Sequence, residues 1–268
     1  MKKVAMTLAA ALMADAALAL NPTSSIDMHI YMSGSSTFDR LLIKSAVQLC
    51  DGGTLDVFSD IGPVKPEGSA FSAFACRMSQ SKVSTLSVPL INVMIHKRSL
   101  GGSTWGVSPV ATASNVPQMS ISPANCGSSA SGSTTISSVS VPVWTCSSSN
   151  TLNTLSDAGI SAVEPALLGN SPNLVPVSPN YGTVAGDPGT FIIPVNQLGE
   201  LTVKSLSAIT YGIPVTLNLR NALQAAQGKA VGSDNVLDMP SLTKIQIASI
   251  MSGNITSWDR KGARSGNR

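Results

Sequence analysis

Two spacings of apolar residues alternate along the chain, one typical of strands and one typical of helices. Asp27–Met32 alternates polar and apolar residues, which predicts a strand. Apolar residues then recur at helical spacing from Phe38 to Leu49, and Ser36 is placed as the N-cap of that helix. The N-terminal part is therefore predicted to run from a strand through a Gly/Ser turn into a helix.

Further apolar runs predict more strands. Leu55–Phe58 follows a Gly-Gly pair and reads as a short strand, and Val88–Lys97 is long and apolar enough for a buried strand. Leu206–Val215 has the same character, whereas Ser69–Cys76 is assigned to a helix. Because strand and helix patterns alternate, we expect an α/β fold with a mixed sheet flanked by helices.

Two helices are predicted near the C-terminus. Asn218 is expected to cap a helix over residues 219–227. Thr243 and Gln246 have the spacing of a capping box, in which each side chain bonds the backbone N–H of the other residue. Gly253 is then expected to end that second helix.

The segment 99–155 differs in composition from the rest of the chain. Ser, Thr and Gly dominate it, and Cys126 and Cys146 lie near the ends of its densest part. We predict an inserted, strand-poor flap held by a disulfide. A flexible low-complexity loop is the alternative.

Residues 1–19 have the pattern of a secretory signal peptide. Lys2 and Lys3 precede the apolar run Val4–Met13, which is too short to span a bilayer. Two small-residue cleavage sites follow, residues 14–16 and residues 17–19, and the second is preferred. A buried N-terminal helix is the alternative. We expect export, one domain over residues 20–268 and no integral membrane segment.

The four cysteines agree with an oxidising compartment, where disulfides persist. Three pairings are possible, and the sequence-local one, Cys50–Cys76 with Cys126–Cys146, is preferred because each bridge closes a modest loop. A zinc site needs closely spaced ligands, and the chain has no Cys-x-x-Cys and only two histidines. No metal site is predicted.

Composition and motifs argue against several function classes. Charged residues make up 12% of the chain and the net charge is +3, with no basic tract interleaved with aromatic residues. Nucleic-acid binding is therefore not expected. The chain contains no G-x-S-x-G, P-loop or G-x-G-x-x-G motif. We predict neither an enzyme nor a cofactor, and an exported hydrolase is the disfavoured alternative.

The first turn, Gly34-Ser35-Ser36-Thr37, is the best candidate for chemistry. The start of a helix offers backbone N–H groups without helical acceptors and the positive end of the helix dipole. Hydroxyl groups add donors without net charge, so the turn could hold an oxyanion. An ordinary helix cap is the alternative.

Three segments of the chain resemble motifs of a single protein family. The run from Leu242 to Trp258, with Thr243, Gln246, Gly253, Ile255 and Thr256 at their spacing, resembles a signature of the periplasmic phosphate-binding proteins of ABC transporters. Tyr31–Phe38 resembles the first strand and turn of that family. Asp157–Pro165 resembles a divergent form of its Ala-Ser-Asp-Ala-Pro loop.

The chain departs from this family at several positions. Asn254 stands where the family has Lys, and Ser257 stands where it has Asn. Ala162 occupies the place of a ligand-binding Asp of the family. In the family a second lobe follows the Trp turn, and we expect this chain to be either a truncated product or a one-lobe relative. The segment 99–155 is a second departure from the family.

The resemblance implies a periplasmic-binding-protein-like (type II) lobe in the periplasm. It would capture a small oxyanion, inorganic phosphate first, for the permease of an ABC importer. Gly34, Ser35, Ser36 and Thr37 would bind the anion, and Ser69 and Ser161 would contribute from the next loops. The alternative is a secreted interaction or surface protein that keeps this fold without tight ligand binding.

Overall fold

The computed structural model describes residues 20–63, 68–169, 193–206 and 212–256. The structure divides into two compact units, one up to Ser205 and one from Leu206 onward. The predicted leader, Ser257 and Trp258 lie outside the described residues, as do residues 207–211 of the predicted strand 206–215. The described remainder of that strand is not in a sheet.

The first unit is built on a seven-stranded sheet. In spatial order its described strands are β6 (Gly132–Ile136), β7 (Val139–Thr145), β2 (Asp56–Ser59), β3 (Phe71–Ser79), β4 (Leu90–Arg98), β1 (Met28–Gly34) and β9 (Ala158–Ile160). A separate antiparallel pair consists of β5 (Val116–Met119) and β8 (Thr151–Thr154).

The large sheet is mixed, as the sequence predicted. β1 runs parallel to β4 and β9, and β2 runs parallel to β7. β3 is antiparallel to both of its neighbours, β2 and β4, so β1, β2, β4, β7 and β9 all point in one direction. Their carboxyl ends therefore lie at the same end of the sheet.

Helices connect and flank these strands. A single 3-10 turn, Ser36–Phe38, joins β1 to α1 (Asp39–Leu49). The described helices that follow in this unit are α2 (Gly102–Ala111), α3 (Pro123–Cys126), a 3-10 helix at Pro165–Gly169 and α4 (Val195–Leu198). The fold is thus mixed α/β with flanking helices.

Successive residues of a strand point to opposite faces of the sheet, and each face packs against its own apolar core. Val57 contributes to the core that includes Leu42 and Ile43 of α1. Its neighbour Phe58 contributes to the other core, together with Trp144. Because both faces are covered, the central strands are apolar on both sides.

Burial on both faces explains a wrong prediction. Residues 69–76 were assigned to a helix, but Phe71–Ser79 forms β3, the strand between β2 and β4. A strand covered on both faces loses the alternation of polar and apolar residues, so its sequence pattern resembles that of a buried helix.

The prediction that 99–155 is strand-poor was also wrong. This segment supplies β5, β6, β7 and β8 as well as α2. β6 and β7 belong to the seven-stranded sheet, and β7 pairs with β2 through Val57, Phe58 and Ser59. The Ser/Thr-rich composition reflects exposed strand positions, where small polar residues are tolerated.

The four cysteines form two disulfides in the predicted sequence-local pairing. Cys50 bonds Cys76 and Cys126 bonds Cys146, with Cα atoms 5.6 and 4.1 Å apart. All four residues are buried in the two cores. Each bridge therefore lies within the core of its face of the sheet.

Helix α2 lies against β1 and β9 through glycines. Gly34 has a φ of +115°, a conformation that L side chains rarely adopt. A Cβ atom at Gly34 or at Gly106 of α2 would overlap the carbonyl oxygen of Ile160 at the end of β9. Glycine at these positions lets the backbones of the three elements approach directly.

The second unit contains α5 (Leu217–Ala226), a 3-10 helix at Val236–Asp238 and α6 (Lys244–Met251). Thr216 caps α5, so the predicted cap at Asn218 was two residues too late. The capping box of α6 is confirmed. The Thr243 side chain accepts from the Gln246 backbone N–H at 3.2 Å, and the Gln246 side chain accepts from the Thr243 N–H at 2.9 Å.

Removing this cap should loosen α6. We expect Thr243→Ala to cost about 1 kcal/mol, the usual loss for an N-cap hydroxyl, and so to speed amide exchange in α6 about fivefold. Thr243→Ser, which keeps the hydroxyl, is the matched control and should leave the exchange nearly unchanged. Unaltered exchange in Thr243→Ala would show that the hydroxyl does not hold this helix.

Candidate functional site

The carboxyl end of the sheet gathers the serines predicted for the site. β1 ends at Gly34 and β9 at Ile160, and the Ser35 N–H donates to the Ile160 carbonyl at 2.9 Å. Ser161 therefore follows β9 beside the first turn. Ser69 precedes the antiparallel β3 and so lies at the same end of the sheet.

The first turn is a capped turn. Ser35, rather than the predicted Ser36, supplies the cap, since its Oγ accepts from the Thr37 N–H at 3.3 Å. The Ser35 and Thr37 hydroxyls lie 2.8 Å apart and share a hydrogen bond. Ser35 is buried, whereas Ser36 and Thr37 are exposed. The turn thus presents residues 36 and 37 to solvent.

The hydroxyls of the other two predicted serines are engaged in hydrogen bonds within the protein. Ser69 is buried, and its Oγ lies 2.6 Å from the Oγ of Ser59 at the end of β2. The Ser161 Oγ donates to the Val163 carbonyl at 2.6 Å and accepts from the Val163 N–H at 3.2 Å. Both hydroxyls stabilise their own loops in this structure.

A buried charged network lies behind the first turn. Lys97, fully buried near the end of β4, donates from Nζ to the Gly34 carbonyl at 2.9 Å, the Arg98 carbonyl at 3.0 Å and the Ser99 Oγ at 2.8 Å. Asp39, the first residue of α1, lies 3.3 Å from the same Nζ and accepts from the Ser99 hydroxyl. The network links the ends of β1 and β4 to the start of α1.

Burial and charge act in opposite senses on this pair. Burial raises the pKa of Asp39 and lowers the pKa of Lys97, while their mutual attraction opposes both changes. The three acceptors around Nζ match the three N–H donors of an ammonium group, which favours a charged lysine. Sequence analysis missed this pair, although a lysine at the end of an apolar strand was a visible signal.

The second cation at this end is also enclosed. Arg98 is fully buried, its guanidinium lies 4.2 Å from the ring centroid of Trp105 in α2, and it donates to the Pro117 carbonyl at 3.3 Å. Both cations at the end of β4 are thus enclosed by protein. A ligand at the first turn would meet mainly neutral donors.

The described residues show neither a metal-ligand cluster nor a membrane-spanning helix. Nowhere in the described ranges do three His, Cys, Asp or Glu side chains cluster closely enough to hold a metal ion. No helix in the described part of the chain has the length and apolar character needed to cross a membrane.

Comparisons with known proteins assign no family to this chain. No protein-family model, no curated protein and no solved structure matches it.

Proposed function

We propose that this protein captures a small oxyanion, inorganic phosphate first, at the turn that follows β1. The observation that carries this proposal is the exposed pair Ser36 and Thr37 in the turn that leads directly into α1. N–H groups at the start of a helical segment lack helical acceptors, and the helix dipole favours negative charge there. Two neutral hydroxyls beside such groups suit an anion.

The position in the sheet supports the same reading. In open α/β sheets ligands bind beyond the carboxyl ends of the strands, and this turn lies at that end of β1, between β4 and β9. We further propose that the first unit is a periplasmic-binding-protein-like (type II) lobe. The mixed sheet with flanking helices agrees with that assignment at the level of fold class.

The same proposal includes export and a transporter. The leader pattern of residues 1–19 and the two disulfides suit a periplasmic protein, because disulfides persist in oxidising compartments. The permease of an ABC importer would receive the anion. The protein itself performs no catalysis in this proposal.

A specific observation favours a second candidate, a secreted interaction or surface protein without tight ligand binding. The hydroxyls of Ser35, Ser69 and Ser161 are all engaged in internal hydrogen bonds. Lys97 and Arg98 are buried, so these two cations, which could give the strong charge-assisted hydrogen bonds to an anion, face into the protein.

Calorimetric titration with inorganic phosphate distinguishes the two candidates. We expect a dissociation constant on the order of 1 mM, about −4 kcal/mol, since an anion at an open turn exchanges hydrogen bonds with water rather than gaining them. Ser36→Ala should weaken this binding further. Ser128→Ala, which removes an exposed hydroxyl between α3 and β6, is the matched control and should bind like the native protein.

Two results would contradict the anion site. If no phosphate binding is measurable at concentrations well above the expected constant, the second candidate is favoured. If Ser36→Ala and Ser128→Ala bind phosphate equally well, the anion binds elsewhere on the protein.

A further inference from the structure

Three rings lie together on one face of the β1–β4 pair. Tyr31 is directly opposite His96 in the parallel register, with ring centroids 4.5 Å apart. The His29 ring lies near both, with its centroid 5.3 Å from that of His96 and 6.0 Å from that of Tyr31. Nδ1 of His29 lies 3.0 Å from Nε2 of His96. His96 is 3% exposed, whereas His29 is exposed to solvent.

The burial of His96 decides which nitrogen carries the proton. In a neutral pair one of the two facing nitrogens donates and the other accepts. Nδ1 of His96, on the other side of its ring, is buried and has no hydrogen-bond partner among the described residues. A proton there would be a buried donor without an acceptor, and orphaned buried N–H groups are rarer than under-satisfied acceptors. His96 is therefore protonated on Nε2 and donates to Nδ1 of His29.

We propose that this hydrogen bond is a proton-operated latch between β1 and β4, closed while His29 is neutral and opened when His29 takes up a proton. A protonated imidazole carries a hydrogen on both nitrogens. Nδ1–H of His29 would then face Nε2–H of His96, and two donors cannot bond each other. His96 cannot shift its proton to Nδ1 without creating the orphan donor, so the exposed His29 ring turns away instead.

The surroundings favour the closed state at neutral pH. Partial desolvation by the neighbouring rings and strands lowers the pKa of His29, and burial together with nearby His29 lowers the pKa of His96 to about 3. β3 places Ala73 opposite His96, and β5, β8, β9 and α2 carry no ionisable residues. Besides the two histidines, the charged or titratable side chains on β1, β3, β4 and the adjoining turns are Tyr31, Asp27, Asp157, Arg77, Lys97 and Arg98.

The latch lies on the two strands that support the first turn. β1 continues from His29 to Gly34, and the residue after His96 is Lys97, which bonds the Gly34 carbonyl. In an exported protein these strands meet the pH of the surroundings. The latch would make the side-chain hydrogen bond between β1 and β4 depend on that pH. This dependence is the same whichever ligand the turn binds.

Nitrogen-15 NMR of the histidine rings in the full chain tests this directly, over a titration from about pH 8 to about pH 5. We expect His96 to carry its proton on Nε2 at the upper end. His29 should titrate with a midpoint below 6.5, and the His96 ring signals should shift at the same midpoint. His29→Phe keeps an aromatic ring beside Tyr31 and should abolish the shift of the His96 signals.

Each alternative result overturns the latch. His96 protonated on Nδ1 at the upper pH would reverse the donor, so protonating His29 would leave the bond intact. A His29 titration that leaves the His96 signals unmoved would show that the rings are not coupled. If His29→Phe does not fold, His29→Gln is the second variant and should likewise remove the shift.

Discussion

Replacing Lys97 with methionine is expected to lower the free energy of unfolding by about 3–5 kcal/mol, the usual cost of removing one partner from a buried ion pair. The substitution leaves the Asp39 carboxylate buried without its charged partner, with the Ser99 hydroxyl still donating to it, and it removes the donor to the Gly34 carbonyl. Methionine matches the lysine side chain in length, so the loss reflects charge rather than a cavity. Urea denaturation at neutral pH measures the change.

A double substitution separates the buried charge from the packing. Asp39→Asn removes the charge that Lys97→Met leaves unpaired, so the double variant should be more stable than Lys97→Met alone. Fully additive losses would show that the two side chains do not interact. An unchanged urea midpoint in Lys97→Met would mean that the ion pair and its three hydrogen bonds contribute nothing to stability.

Acid should destabilise the fold through His96. Its pKa is lowered to about 3 in the folded protein, mainly by burial, from an ordinary value of 6.5. The folded protein therefore binds fewer protons than the unfolded chain, and this contribution to stability is complete above pH 6.5 and is lost as the pH falls toward 3. At about 1.4 kcal/mol per pH unit, roughly 3 kcal/mol is lost between pH 6.5 and pH 4.5.

Buried carboxyls act in the opposite sense and must be separated from this effect. Burial raises the pKa of Asp39, Asp56 and Asp60, so their contributions are most favourable in acid and are lost as the pH rises above 3.8. The variant His96→Phe removes the histidine but keeps the three carboxyls, and its phenyl ring can still stack on Tyr31. Comparing this variant with the native protein therefore cancels the effect of the carboxyls. The stability difference between the two proteins should therefore move in favour of His96→Phe as the pH falls. A difference that is constant with pH would show that His96 does not titrate as a buried neutral residue.

Several elements were predictable because their signals are local. The strand predicted at Asp27–Met32 forms as Met28–Gly34, and the one predicted at Val88–Lys97 forms as Leu90–Arg98. The helix that ends at Leu49 and the α6 capping box also follow from neighbouring residues. Capping and helical spacing depend on contacts within one turn, which a sequence displays directly.

The candidate turn was predictable for the same reason. A strand, a glycine and a serine-rich turn before a helical pattern predicted the junction at Gly34–Thr37. The orientation of its hydroxyls was not predictable, because Ser35 lies among neighbours brought in by β9. Ser69 and Ser161 reached the same end of the sheet, but their bonding partners depend on loop geometry.

The sequence by itself determined the alternation of strands and helices, the capped turn after β1 and a sequence-local pairing of cysteines as the preferred one. Only the tertiary structure decided that residues 99–155 contribute strands to the central sheet, that Asp39 meets Lys97 and that His29 meets His96. These contacts join positions about sixty residues apart, and they follow from the parallel register of β1 on β4 and from the placement of α1. Register is set by the summed burial of whole strand faces, which no local spacing of residues encodes.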